Sequence, residues 1–230
     1  MPKFTNYASK LDRPMSKDGI CLNIGCGLDA PEGWVNIDSS PSLKLSKIPI
    51  ANPLLLSILR SPDWPQSVKF GDLVKGLKIA DSSCDLVFAS HILEHLPLSD
   101  FSAALENIHS YLKTGGVLRI IVPDLEKCIA NYTTRKQDKA WSAKAAHEFM
   151  NESCLGRTET RNSLYKRLVE VFSNSRHQWM WDEPSLLDAL AQQGFKNIRQ
   201  RDYGEWSDQR FEAVEKQDRH WNAICMEATK

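Results

Sequence analysis

An α/β fold built on a mostly parallel sheet is what this sequence predicts, and three observations carry the prediction. Short apolar runs alternate with helical patterns along the 230 residues. The two strongest runs, DLVFAS (85–90) and GVLRIIV (116–122), are apolar along most of their length, as strands buried on both faces are. Between them lies the clearest amphipathic helix, so that strand, crossover helix and strand make a βαβ unit.

Taken in order, a polar arm runs to about Gly19. Strands are then expected at 20–24 (ICLNI), 34–38 (WVNID), 67–70 (SVKF), 85–90 and 116–122, each bounded by Gly, Pro, Asp or Ser. In LSDFSAALENIHSYLKTGG, Phe101, Leu105, Ile108 and Leu112 recur on one helical face, with Ser99 placed to cap the start and Gly115 the end. A second helix, PSLLDALAQQG, has Pro184 in its first turn and Gly194 past its end. Two further strands come next, in FKNIRQRDY and WNAICMEA, joined by SDQRFEAVEKQDRH (207–220), whose charges read as a solvated connection. Residues 124–182 interrupt the rhythm as a polar, helix-prone insertion inside a single domain spanning 1–230. It begins just beyond the fifth strand's carboxyl end, the edge at which open α/β sheets bind ligands, and is expected to serve as a lid or substrate pocket.

Composition narrows the function. Lys+Arg and Asp+Glu number 29 each, so no basic excess exists to hold nucleic acid or anionic lipid by bulk charge. The longest apolar runs, PLLLSIL and VLRIIV, fall short of the roughly 20 residues of a membrane span, and MPKFTNYASK has no apolar signal core. A cytoplasmic protein is expected. The six cysteines (21, 26, 84, 128, 154, 225) form no CxxC pair, and Cys21, Cys84 and Cys225 lie in strand-like runs where cysteine packs as a small hydrophobe. Reduced thiols are the simplest reading.

The stretch ICLNIGCGLDAPEGWVNIDSSP (20–41) runs a strand into Gly25 and Gly27 and reaches Asp38 soon after. Glycines there allow a tight turn and close backbone approach to a ligand. The letters satisfy a loose G-x-G-x-x-A dinucleotide pattern, but that pattern wants a helix for a pyrophosphate and an acid about 20 residues on. Pro31 and Gly33 oppose the helix and Asp38 comes too early. A ligand with a ribose and no phosphate fits better, its two hydroxyls donating to the carboxylate that ends the second strand. The alternative is purely structural: a glycine turn, with Asp38 capping the segment that starts at Ser39 and Ser40, and Asp72 a turn residue.

The words LNIGCG (22–27), GWVNID (33–38), SCDLVFASHILEHL (83–96), GGVLRIIVPDLE (115–126) and RHQWMWDEPSLLDALAQQGFKNI (176–198) stand in this order over most of the expected sheet. Together they resemble the class I S-adenosylmethionine-dependent methyltransferases, and within them a bacterial branch of small predicted methyltransferases. The resemblance implies a Rossmann-like sheet of seven strands with the last antiparallel, S-adenosylmethionine as cofactor and S-adenosylhomocysteine as product. It implies Gly25 and Gly27 beside the methionine, Asp38 on the ribose, Asp72 facing the adenine amino group and Leu73 against the ring. Asn23, Cys26, Ser39, Ser90 and His91 complete the expected donor-binding set. One departure from the wider class is visible: only Cys26 to Gly33 join the first two strands, a reach of at most roughly 25–30 Å, enough for a loop or one helical turn.

HILEH (91–95) also matches the H-x-x-E-H pattern of inverted zinc peptidases, with His91 and His95 on zinc and Glu94 as base. That pattern needs a helix, whereas DLVFAS leads into His91 as a strand and Pro97 comes soon after. In the methyltransferase reading no metal is expected. His91 there ends the fourth strand, and its neutral imidazole is the first candidate to take a proton from an acceptor hydroxyl, with His177 or Asp182 contributing from the insertion. Glu94 and His95 are expected to bond backbone groups beneath the following helix. Methyl transfer asks mainly for in-line positioning, so a base is dispensable. RHQWMWD suits a sugar-like or small polycyclic acceptor, or else forms a tryptophan hinge with Asp182 or Glu183 capping a helix. The expected acceptor is a small molecule or saccharide, methylated on oxygen, with monomer and homodimer both open. A zinc hydrolase and a non-catalytic S-adenosylmethionine-binding protein are the rival readings.

Overall fold

The computed structural model describes residues 19–48, 61–156 and 176–230. The polar arm before Gly19, the run PLLLSIL and the middle of the 124–182 insertion lie outside them. Seven strands form one sheet: β1 Ile20–Ile24, β2 Trp34–Asp38, β3 Lys69–Phe70, β4 Cys84–Ser90, β5 Leu112–Pro123, β6 Lys196–Gln200 and β7 Ala223–Thr229. Their order is β3-β2-β1-β4-β5-β7-β6. All neighbours are parallel except β7, which is antiparallel to both β5 and β6. The chain reverses its direction of travel across the sheet between β1 and β4, the switch point where the carboxyl ends of open α/β sheets leave a crevice.

Helices are α1 Pro41–Ser46, α2 Leu98–Tyr111, α3 Leu125–Gln137, α4 Ala145–Glu152 and α5 Glu183–Gln192. Alternate residues of the central strands feed two cores. Leu22, Ile24, Val87, Ala89, Leu118 and Ile120 pack with Phe101, Leu105 and Ile108 of α2 and Leu186 and Leu190 of α5. Cys21, Leu86, Phe88, Ile121 and Cys225 face the other way, against Trp34, Phe211 and Val214. Burial on both faces explains why β4 and β5 read as continuous apolar runs. All six cysteines are free thiols. Among the described residues no helix is long and apolar enough to cross a membrane.

Several boundaries differ from expectation for identifiable reasons. The cap position of α2 is Pro97, and the Ser99 hydroxyl bonds Asp100 instead. The helix ends at Tyr111 because Leu112 is already extended, so Gly115, at φ 79°, belongs to β5. The third strand shortens to Lys69–Phe70 and the sixth to Lys196–Gln200. The insertion leaves and returns at one point: Asp124 forms a parallel bridge with Trp181, and the Leu125 N–H donates to the Trp181 carbonyl at 2.8 Å. Within it, Tyr132 of α3 meets Phe149 of α4 edge-on, and Arg135 pairs with Glu152.

The largest correction concerns 207–220. Rather than a solvated connection, it folds as 3₁₀ turns at Gln209–Ala213 and Gln217–His220, with Phe211, Val214 and Glu215 buried against the sheet. Its anchor is Arg119, fully buried in β5, which donates to Glu215 at 2.6 Å and Glu227 at 2.8 Å. The same guanidinium also donates to the carbonyls of Asp202 and Glu205. Glu215, which looks solvent-facing in the sequence, is the partner of a cation inside the sheet.

Candidate active site

The crossing from β1 to β2 is a loop, as its length requires, and two asparagines shape it. Asn23 and Asn36 are register partners on the adjacent strands. The Asn23 amide donates to the Asn36 side chain at 2.9 Å and to the Asp29 carbonyl at 3.2 Å, while Asn36 donates to the Pro31 carbonyl at 3.0 Å. Both side chains are buried, so these bonds satisfy groups that burial would otherwise penalise. They account for the asparagines in LNIGCG and GWVNID.

Gly25 and Gly27 both take left-handed backbone, at φ 66° and 55°. The Gly25 N–H donates to the Ile37 carbonyl at 2.8 Å, and a Cβ on Gly25 would lie 1.9 Å from Ile92 Cγ2. At Gly27 a Cβ would meet nothing within 4 Å. The first glycine is thus demanded by packing, while the second keeps space open. The Gly27 N–H donates to Asp38 Oδ2 at 2.9 Å, and the Ser40 N–H to Oδ1 at 2.7 Å. Asp38 therefore ties the glycine turn to the end of β2 and retains further lone pairs for a ligand.

Beside this turn, at the switch point between β1 and β4, lies a cavity of about 450 Å³, within the range of small-ligand sites. Its walls include six of the sequence-predicted residues: Asn23, Gly25, Cys26, Gly27, Ser90 and His91. The Ser90 hydroxyl is buried without a hydrogen-bond partner, an orphan inside the wall. Cys26 offers only backbone chemistry, because burial and the neighbouring Asp38 charge push its thiol up to about 12.

The remaining predicted residues stand elsewhere. Asp38 is directly behind Gly27, with Ser39 exposed next to it. Asp72 accepts from the Val74 and Lys75 N–H groups and pairs with Lys75 at 2.8 Å, which holds its carboxyl below the usual range against the opposing effect of burial. Leu73 is buried in the core. Neither Asp72 nor Leu73 lines the cavity. Asp182 is the N-cap of α5 in a capping box with Ser185, and His177 packs on Glu94 and His95; neither lines the cavity. Trp181 is buried against Phe101 with ring centroids 4.3 Å apart, the hinge arrangement rather than an acceptor platform.

His91 has φ 52°, a left-handed residue immediately after β4. Such backbone costs about 1 kcal/mol or more and concentrates at functional positions. Its Nε2 lies 2.8 Å from the Arg219 carbonyl, which only accepts, so Nε2 carries a proton. Its Nδ1 is 3.3 Å from Glu94 Oε1. Burial alone would lower this imidazole, but the Glu94 carboxylate beside it outweighs that and raises His91 above ordinary histidine. Nε2 carries its proton toward the Arg219 carbonyl and Nδ1 faces the Glu94 carboxylate, so neither nitrogen stands ready to take an acceptor's proton in this arrangement. Nor does HILEH form the zinc-peptidase helix: Leu93–His95 is a single 3₁₀ turn, and His91 reaches toward the cavity.

Further lining comes from residues the sequence reading missed: Phe88, Val214, Lys216 and Arg219. Lys216 pairs with Asp29 of the glycine loop at 2.5 Å, joining two walls at a solvent-exposed position. A signal was present, since Phe211 and Val214 are spaced to share one side of a helical turn.

Residues 3–200 match the family model described as methyltransferase domain. Among solved structures, a SAM-dependent methyltransferase from Archaeoglobus fulgidus is 16% identical over 94% of this chain and 88% of that one, with a TM-score of 0.48. One from Mesorhizobium loti is 14% identical over 95% and 94%, with a TM-score of 0.45. The 1,6-didemethyltoxoflavin-N1-methyltransferase of Burkholderia thailandensis, solved with S-adenosylhomocysteine, is 15% identical over 93% and 71%, with a TM-score of 0.44. No curated protein matches the sequence.

Proposed function

We propose a reaction for a chain that belongs to the methyltransferase-domain family: transfer of a methyl group to a hydroxyl oxygen of a small molecule or saccharide. The family's donor is S-adenosylmethionine, which supplies an electrophilic methyl on a sulfonium. The observation that carries the reading is the cavity at the β1–β4 switch point, with a glycine turn on one wall and Ser90, His91 and Arg219 on others. The residues present fit the donor, since Gly27 leaves open space and the Asp38 carboxylate behind it can accept from two ribose hydroxyls. Asn23 would hold the loop in shape. On the acceptor side, the Ser90 hydroxyl can orient a polar ligand, and Arg219, with Lys216 already paired to Asp29, favours one carrying negative charge, such as an acidic sugar.

Holding the acceptor oxygen in line with the methyl, away from water, is the main task asked of these residues. His91 is assigned to positioning. Its hydrogen bond to the Arg219 carbonyl and its charge pairing with Glu94 hold the wall where the acceptor would lie. His91→Gln, which can still donate to the Arg219 carbonyl, is expected to retain turnover within about 10-fold, whereas His91→Ala should lose more than that. Equal, severe losses in both would return His91 to the role of base.

Calorimetry with S-adenosylhomocysteine tests the donor, and one equivalent per chain is expected. Release of S-adenosylhomocysteine in the presence of neutral and acidic hydroxylated acceptors tests the reaction. Absence of binding would overturn the proposal. Two glycine variants separate scaffold from site. Gly25→Ala should destabilise by about 2–4 kcal/mol, through overpacking against Ile92 and the left-handed backbone. Gly27→Ala should destabilise by only about 1–2 kcal/mol yet abolish donor binding, because its methyl enters the cavity. Denaturant melts and calorimetry on both variants check the contrast.

A further inference from the structure

Behind His91 lies a second cluster. Glu94, His95 and His177 bring one ligand atom each to within 4.8 Å of one another. Glu94 is fully buried, and both of its carboxylate oxygens lack a hydrogen-bond partner. A buried, unpaired carboxylate is costly, and the nearby groups only partly compensate: His91 Nδ1 stands 3.3 Å away and His177 Nε2 3.8 Å. The ring nitrogens are chemically prepared for something stronger. His95 Nδ1 lies 2.7 Å from the Arg176 carbonyl, so Nδ1 carries the proton and the lone pair is left on Nε2. Fixing one nitrogen on a backbone carbonyl is how metal-ligating imidazoles are oriented.

The backbone that carries these side chains is itself fixed. The Glu94 carbonyl accepts from the N–H groups of Gln178 at 2.7 Å and Trp179 at 3.2 Å, and the His95 carbonyl accepts from the Gln178 amide at 2.9 Å. The turn after β4 and the returning end of the insertion are therefore stitched together at the point where the three ligands meet. Tetrahedral coordination at about 2.0–2.1 Å would draw the ligand atoms to about 3.3 Å apart, a closure that side-chain rotation can supply. The other acid–imidazole–thiol group, Glu215, His220 and Cys225, offers no comparable opening: Arg119, Trp206 and His220 already bond Glu215, and burial pushes the Cys225 thiol up to about 12.

We propose that Glu94, His95 and His177 bind a divalent transition-metal ion, Zn²⁺ by preference for two imidazoles and a carboxylate, which clips the insertion's return segment to the carboxyl end of β4. Through Glu94 the ion also fixes His91, and with it one wall of the cavity. This site does not depend on the methyl-transfer reading.

Protein stripped with a chelator would be titrated with Zn²⁺ by calorimetry and with Co²⁺ by visible absorption. One equivalent per chain is expected, with Co²⁺ bands of four- or five-coordinate intensity and a thermal melting point that rises on adding Zn²⁺. His177→Ala and Glu94→Gln should each weaken binding about 100-fold or more, since even outer partners of a metal contribute 10–100-fold. If Glu94→Gln folds poorly, His177→Ala decides. Failure of the unmutated protein to take up either ion stoichiometrically, or undiminished uptake by His177→Ala, would overturn the proposal. S-adenosylhomocysteine titration of the same stripped protein reports the donor site separately.

Discussion

Replacing Arg119 with alanine is expected to lower stability by about 3–5 kcal/mol, because it strands two carboxylates that are buried only in its company. Glu215 and Glu227 are both at or below 5% exposure, and the guanidinium bonds each directly. Nothing in the interior replaces those bonds fully, although His220 and Trp206 also reach Glu215. The loss should appear in urea denaturation at neutral pH. It should also change the acid limb of stability. Burial alone would raise Glu215, but hydrogen bonds from His220 and Arg119, together with the Arg119 charge, hold it at about 2 against an ordinary value of 4.5. A carboxyl depressed by folding stabilises above its unfolded pKa, and that contribution disappears as pH falls from about 4.5 through about 2. The unmutated protein should lose about 3 kcal/mol over that window from this group alone, and the Arg119→Ala protein distinctly less. Parallel acid slopes in the two proteins would show that the network does not control Glu215.

Asp38→Ala is expected to weaken S-adenosylhomocysteine binding by about 100-fold or more. Two hydrogen bonds to a carboxylate are together worth about 3 kcal/mol or more, and 1.4 kcal/mol is a factor of ten. The same substitution releases the N–H groups of Gly27 and Ser40, so the glycine turn loosens as well. Comparison with Gly27→Ala separates the two effects: that variant keeps the Asp38 carboxylate but fills the space beside it. If Asp38→Ala binds the ligand normally, the carboxylate is a turn clamp alone and the ribose lies elsewhere.

Much of this architecture is legible in the chain. β1, β2 and β4 sit within a residue of where apolar runs and their glycine, aspartate and serine boundaries put them, because both faces of those strands are buried. The glycine turn is legible too, since left-handed backbone at Gly25 and Gly27 leaves a strong mark on sequence. Residues whose meaning depends on a distant partner were not. Arg119 within an apolar strand and Glu215 within a charged tract each look ordinary alone, yet they explain one another across 96 positions. Asp182 was legible as a helix cap, and its bonds with Ser185 three residues on bear that alternative out. His91 was found by its position at the end of β4, but its protonation is set by the Arg219 carbonyl and Glu94, which spacing cannot reveal.

The bridge between Asp124 and Trp181 gives the chain a modular seam. Because the excursion departs and re-enters through neighbouring backbone, its length and composition can vary with only the slow logarithmic penalty of closing a longer or shorter loop. Strand registry on either side need not respond. A descendant could trade this whole segment for another and keep the same sheet and glycine turn without relearning how to fold.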